Sequence, residues 1–443
     1  MKKYFIVISL LFLTLTQAQE KKWTLQACVD YAHQHNLQLK QSELDIAQAE
    51  INKTSTQTAY LPTINTNTSA SWSSGLTKNY ITGVNENQTT FGGNGSIRSN
   101  LNLFSGFKNK YNYKKSLLDI LSAEYQYADL KKSIDMQIAS AFMQILLAKE
   151  SLSTVKQQLE NSIQQKDKTA AMIQAGVLPK GDLIDAEAQI TNDNLQIIQA
   201  ENNYEIAKLN LAQLLEFNDP NTFKIDEDLS NLKIDANLLT KSSKNLYNQA
   251  LQTSDKIKST ETQGEIAQYQ VKLAKSSYLP ALSAFANVNT GYSDREGVGF
   301  GGVAVPADPF GKQIENNLGA SYGLSLNIPI LNGLNVKHQV KSAKLNIART
   351  NIALETNKKN LKNDIYKMKT DLVAAFQSLK AAEANLKAQL KSYNYANEKF
   401  KVGILNIFDL NNIKTQYVAA QNSYINAKYQ YYMKSKILEY TIK

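Results

Sequence analysis

The sequence predicts a mixed α and β membrane protein: a long coiled-coil α-helical barrel joined to a transmembrane antiparallel β-barrel shared between chains, with four strands per chain and an internal two-fold repeat. Three observations predict it. The chain repeats itself, its longest stretches carry apolar residues in steps of three and four without proline, and the stretches between them alternate with a period of two.

The repeat comes first, because it organises the rest. Tyr60–Leu61–Pro62 is answered by Tyr278–Leu279–Pro280, and Glu43 and Leu39 precede the first as Glu261 and Ile257 precede the second. LFSGFKNK (103–110) is answered by ILNGLNVK (330–337), which matches Gly106 with Gly333. From there AGVLPKGDL (175–183) meets VGILNIFDL (402–410) with no gap, matching Gly176 with Gly403, Asp182 with Asp409 and Leu183 with Leu410. The expected organisation is a signal peptide over 1–18, a first repeat over 19–230 with a hairpin at 61–104 and a tip turn at 175–181, and a second over 231–443 with a hairpin at 279–329 and a tip turn at 402–407.

Each repeat holds a long helix. Ile138, Ala141, Ile145, Ala148, Leu152, Val155 and Leu159 fall in steps of three and four, as do Ile365, Met368, Leu372, Ala375, Leu379, Ala382 and Leu386. After each turn the spacing resumes, from Leu183 to Leu214 with Asp193 as the polar interruption, and from Leu410 to Leu438 with Lys434. A step averaging about 3.5 is a coiled-coil seam. All seven prolines lie outside these runs, and proline costs about 3 kcal/mol inside a helix. Helices over about 108–174 and 335–401 would each be about 100 Å long at 1.5 Å per residue, too long for the core of a compact domain.

The segments following each Tyr-Leu-Pro read as strands. Ile64, Thr66, Thr68, Ala70 and Trp72 share one face, and Thr63, Asn65, Asn67, Ser69 and Ser71 the other. Ile97, Leu101 and Leu103 oppose Arg98, Asn100 and Asn102; Leu282, Ala284, Ala286 and Val288 oppose Ser283, Asn287 and Asn289, with Phe285 the exception; Tyr322, Leu324, Leu326 and Ile328 oppose Ser321, Ser325 and Asn327. Strands of roughly nine to twelve residues are long enough to cross a bilayer with tilt. Loops rich in Gly and Asn, 75–95 and 291–319, are expected to join them. Four strands cannot close a transmembrane barrel, which takes about eight, and open edges are not tolerated in lipid. The barrel is therefore expected to be completed by other copies of the chain, whose number the spacing leaves open.

The start of the chain, Lys2 and Lys3 followed by an apolar run from Tyr4 to Leu15, reads as a secretory signal peptide cleaved after Ala18. Cys28 is the single cysteine, which excludes an intramolecular disulfide. Leu25–Cys28 resembles a lipoprotein box but is detached from the apolar run, so Cys28 reads as a small apolar helix residue. The net charge of +10 is dispersed among helix-like segments, which argues for solvated helix faces and against nucleic acid. His33 and His35 are two apart, on different helix faces, and His338 is remote. No phosphate loop, clustered metal ligands or nucleophile constellation is present, so neither an enzyme nor a bound cofactor or metal is expected. Tyr60, Trp72, Tyr111, Tyr113, Tyr278 and Tyr322 are candidates for an interfacial aromatic girdle.

On the duplicated helix–strand–strand–helix plan, the paired Tyr-Leu-Pro starts, LFSGFK/ILNGLN and AGVLPKGDL/VGILNIFDL, the sequence resembles the TolC family of outer-membrane efflux ducts over nearly its whole mature length. The resemblance implies a homotrimer with a twelve-stranded barrel in outer-membrane lipid and a helical tunnel across the periplasm. It implies a periplasmic adaptor and an inner-membrane efflux pump or ABC exporter as partners, in passive efflux of small molecules or in secretion. It places residues 216–243, with Pro220 and the acidic patch Asp226–Asp228, at an equatorial belt, and the two turns at a periplasmic tip that opens and closes. Asp409 matches an acidic position lining the tip constriction and Asp182 its first-repeat counterpart; Asn412 stands at the next inward position, which is acidic in familiar members, with Asp185 as its first-half equivalent. Phe400 and Leu405 stand where those members carry the Tyr and Arg of a closing latch. Gly176 and Gly403 are expected to end their helices in left-handed conformation, and Asp182 and Asp409 to cap, or to stabilise electrostatically, the helices that follow. The competing expectation is a non-conducting periplasmic coiled-coil adaptor or scaffold, which would show no barrel behaviour.

Overall fold

The computed structural model describes residues 23–79, 82–217, 225, 237–301 and 303–443. The expected signal peptide and most of 216–243, Pro220 and Asp226–Asp228 included, lie outside the described residues. The described residues form two compact units, one drawn from those within 23–44, 124–258 and 354–443, the other from those within 45–123 and 259–353.

Ahead of each Tyr-Leu-Pro the chain forms two helices where one polar helical segment was expected. α1 (Leu25–His35) and α2 (Leu37–Thr58) precede the first. Beyond the four-residue α5 (Asn237–Thr240), α6 (Ser243–Thr253) and α7 (Asp255–Ser276) precede the second. The breaks have a local cause. Asn36 Oδ1 accepts the backbone N–H of Gln38 (3.0 Å) and Leu39 (3.3 Å), and Ser254 Oγ accepts that of Ile257 (3.3 Å). A short polar side chain that satisfies these orphan donors ends one helix and starts the next. Thr24 and Ser242 cap α1 and α6 in the same way.

The strands β1 (Thr63–Lys78), β2 (Asn85–Ser105), β3 (Ala281–Ser293) and β6 (Gly319–Asn327) form one antiparallel sheet in the order β1-β2-β3-β6. Between β3 and β6 lie a short ribbon of β4 (Gly297–Val298) with β5 (Ala304–Val305) and the helix α8 (Phe310–Asn316). The expected loop 75–95 is thus mostly strand, with pairing running from Thr63↔Asn100 to Lys78↔Asn85. Its Gly and Asn residues look turn-like by composition, but the continuous backbone ladder overrides propensity.

Register gathers the apolar positions of all four strands on one face. Ile64 lies opposite Ser99 and Thr66 opposite Ile97, which pairs onward with Val288 and Ala320; Leu101 pairs with Ala284, and that with Leu324. Arg98, Asn100, Asn287 and Ser321 share the opposite face. Leu103 departs from expectation: the register shifts between Asn102 and Phe104, so Phe104 pairs with Leu282 and takes the apolar position. A bulge inserts one residue and reverses the alternation beyond it. Phe285, on the polar face, lies over Gly323, where an added Cβ would meet its ring at 3.2 Å.

The sheet leads into the long helices α3 (Lys108–Gln174) and α9 (Asn335–Lys401) through matching hinges. Gly106 (φ 61°) and Phe107 (67°) precede α3, and Gly333 (59°) and Leu334 (64°) precede α9. Two successive left-handed residues turn the chain sharply, and only glycine adopts that conformation without cost. Beyond the far turns come α4 (Gly181–Leu214) and α10 (Ile407–Ile442).

In the helical unit Ile138, Ala141 and Ile145 of α3 pack with Cys28, Val29 and Leu39, and with Leu211 and Ile425. Ile365 and Leu372 of α9 pack with Leu238, Leu246 and Leu438. The periodic residues are therefore core. Cys28 is fully buried and burial pushes its thiol up to about 12. Among the described residues no helix is long and apolar enough to cross a membrane.

Candidate functional site: the paired helical turns

Both helical reversals are built alike. Gly176 (φ 76°) and Gly403 (φ 75°) are left-handed. The N–H of Gly176 donates to Ile173 O (3.0 Å) and that of Val177 to Met172 O (2.9 Å); Gly403 and Ile404 donate likewise to Phe400 O (2.9 Å) and Lys399 O (3.0 Å). This double bond pattern satisfies the last carbonyls of a helix and needs a residue free to take positive φ. The turns adjoin: a Cβ on Gly403 would lie 3.5 Å from Val177 Cγ1.

The next helices start differently. Asn406 caps α10, its side-chain oxygen accepting the N–H of Asp409 at 2.8 Å. Lys180 precedes α4 in helical conformation and makes no side-chain cap. Neither acid is therefore the cap. Asp182 and Asp409 sit in the first turns, where a carboxylate is favoured by the helix dipole. Burial first, and then the charge of Asp185, raise the Asp182 pKa above the ordinary value. Asp185, Asp409 and Asn412 are exposed.

Phe400 and Leu405 are brought together, in packing rather than as a polar latch. Phe400 is 1% exposed and clusters with Ala396, Ile407 and Leu410, and the half-buried Leu405, Met172, Leu178, Tyr393 and Ile413 close around it. Burying an aromatic ring of this size contributes roughly 1.5–3 kcal/mol, and here it ties the first turn to the second.

A buried polar cluster lies a few turns from the tip. Asp193 of α4, with no exposed surface, accepts from Gln158 Nε2 (2.9 Å) and Gln189 Nε2 (2.8 Å). Ser162 Oγ donates to Asp193 and accepts from Lys414 Nζ of α10 at 2.5 Å. Burial pushes the Lys414 pKa down, opposed by the charge of Asp193. The sequence shows Asp193 as an interruption but does not reveal its partners. The available signal was Lys414, four residues after Leu410 and so on the same helix face.

In the sheet unit Trp72, Phe91, Tyr292 and Phe310 form a row with ring centroids 4.8, 6.0 and 5.2 Å apart, toward the hairpin turn. Phe104, Phe107, Tyr111 and Tyr269 form a second toward the helices, at 5.2, 6.4 and 6.4 Å. Tyr60, Tyr278 and Tyr322 are exposed, and Tyr113 is half-buried. Two histidines have side-chain partners: His33 Nε2 lies 2.6 Å from Asp135 Oδ1, and His35 stacks on Tyr31. Among the described residues no group of three or more His, Cys, Asp or Glu could hold a metal ion.

A sheet with one apolar face, joined through the chain to helices of 67 residues that reverse at paired turns, suits the class of outer-membrane proteins. The chain belongs to the outer membrane efflux protein family, whose sequence pattern matches residues 28–216 and 246–439. It is 23% identical to the outer membrane protein TolC of Salmonella enteritidis over 439 residues, 97% of this chain and 83% of that protein. In fold it is similar to the outer membrane protein VceC of Vibrio cholerae (TM-score 0.72, 14% identity, 94% of this chain and 95% of that one). The Campylobacter jejuni CmeC outer membrane channel is similar as well (TM-score 0.71, 19% identity, 94% and 85%). The protein is thus an outer-membrane protein of an efflux family.

Proposed function

We infer that the protein is the outer-membrane exit duct of an efflux or secretion system, assembled as a homotrimer. The observation that carries this reading is the sheet. Ile64, Trp72, Leu76, Tyr322, Leu324 and Leu326 on its apolar face are all more than half exposed, and β1 and β6 are its edges. An apolar face bounded by open edges suits lipid only when the edges are closed by pairing. With an even number of alternating strands, β6 of one copy runs antiparallel to β1 of the next, so copies add around a ring. The resemblance to TolC supplies the number three, and hence twelve strands.

The helices support the same assembly. Leu37, Leu44 and Ile51 on α2, and Ile184 and Ile198 on α4, are exposed at multiples of seven residues, the spacing of a coiled-coil seam. On this reading the two repeats, 19–230 and 231–443, line one tunnel that extends into the periplasm. A periplasmic adaptor and an inner-membrane pump or ABC exporter deliver cargo to the tip. Asp182, Asp185, Asp409 and Asn412 line the constriction there, and rings of carboxylates favour cations.

The test is direct. Fractionated envelopes should hold the protein in the outer membrane as a trimer, and purified protein should give discrete conductance steps in planar bilayers. A soluble periplasmic protein without channels would instead establish the scaffold reading.

A further inference from the structure

Two buried charges, Asp193 and Lys414, enter the apolar seam of α3, α4 and α10 and are joined by a hydrogen-bonded chain. Lys414, 8% exposed, donates to Ser162 Oγ; Ser162 donates to Asp193; Gln158 and Gln189 complete the carboxylate's partners. Beside it lies a cavity of about 80 Å³, bordered by Gln158, Asn161, Tyr393, Lys414 and Tyr417. Gln158 Oε1 is buried and has no hydrogen-bond partner among the described residues. Tyr393 and Tyr417 stack at 5.4 Å.

Such a chain is a poor way to gain stability. Desolvating two charges offsets most of their attraction, and apolar residues in their place often hold as well or better. Its best-attested use is to fix register, since a polar partner is satisfied in one alignment only. The placement suits that use. Lys414 follows Leu410 by one turn on the buried face of α10, and Leu410 belongs to the Phe400 cluster at the tip. A polar cavity of this size accommodates water, which can take up hydrogen bonds that the chain gives up. Water admitted there lowers the cost of breaking the contact, because the freed polar groups are not left unsatisfied.

We propose that the Asp193–Ser162–Lys414 chain is a positioning device that holds α10 in register with α3 and α4 and thereby sets the resting width of the tip. The second half of this statement rests on reading the tip as a gate.

The test uses the full chain, spin-labelled at Glu160→Cys on α3 and Thr415→Cys on α10, both exposed sites. Cys28 is buried and stays unlabelled. Lys414→Met and Asp193→Leu should each shift or broaden the α3–α10 distance distribution. In planar bilayers each should raise the fraction of time spent open at least about tenfold, equivalent to about 1.4 kcal/mol. The double variant, with neither charge left, should recover the melting temperature but not the parental distance distribution. Should Asp193→Leu fail to fold, the isosteric Asp193→Asn replaces it. Parental distances in the double variant, or single variants that melt lower with unchanged distances, overturn the positioning role. Shifted distances with unchanged opening overturn the link to tip width. A parent that forms no channels overturns the duct reading, while the distances still decide the register.

Discussion

Asn406 accepts the backbone N–H of Asp409, and this one bond separates two tasks that the sequence alone assigns to the same residue. The cap belongs to Asn406, which frees the Asp409 carboxylate for whatever lies beyond the helix end. Asn406→Ala should lower stability by about 1 kcal/mol, read from denaturant midpoints, and Asn406→Asp should not. Asp409→Asn leaves the cap in place. In planar bilayers it should raise conductance and weaken block by multivalent cations; unchanged conductance and block would remove Asp409 from the constriction.

The two strand-to-helix hinges share dihedral angles but not surroundings. A Cβ on Gly106 would meet Ser276 O at 2.6 Å and Leu279 Cβ at 2.9 Å, whereas on Gly333 the nearest atom is Asn335 Nδ2 at 4.0 Å. Gly333→Ala should therefore cost only the left-handed strain, roughly 1–2 kcal/mol. Gly106→Ala adds a backbone clash and should cost clearly more. Equal losses in a thermal unfolding comparison would contradict the packing described around Gly106.

The face assignment of the sheet predicts an asymmetry between neighbours in sequence. Leu324 is on the apolar face and Ser325 on the polar one. In lipid, Leu324→Arg should cost about 2–4 kcal/mol near mid-bilayer, with Ser325→Arg tolerated. Folding titrations into liposomes measure both, and equal tolerance would reverse or abolish the assignment.

Asp182 carries a pH signature. Burial and then Asp185 raise its pKa in the folded state, so the native chain binds this proton more tightly than the unfolded chain. Its contribution to stability is then full below the unfolded carboxylate value and is lost as pH rises through the raised native one. Asp182→Asn should abolish that loss, leaving the variant more stable than the parent at neutral pH and less distinct in acid. Asp185→Asn should bring the Asp182 titration back toward the ordinary carboxylate range in an NMR titration.

Much of the architecture is written locally. Proline placement and the step of three and four mark α3 and α9, and the period-two faces of β1, β3 and β6 are visible residue by residue. What escaped depends on partners. Leu103 alternates correctly until pairing with β3 inserts a bulge. Gly92 and Gly93 look like a loop until their neighbours on β1 and β3 supply the ladder. The breaks at Asn36 and Ser254 hide inside continuous periodic stretches, because one side chain suffices to cap a helix. Phe400, at a latch position by resemblance, is read correctly only once its neighbours from both turns are known. Lys414 and Asp193 are far apart in sequence, and nothing short of the fold joins them.

Cys28 carries a last consequence. As the one thiol of the chain, sealed in the helical core, it reacts with a thiol reagent only when that core opens. Pulsed alkylation of the unmodified protein would therefore clock the opening of one folding unit, separately from the sheet, without introducing a single probe.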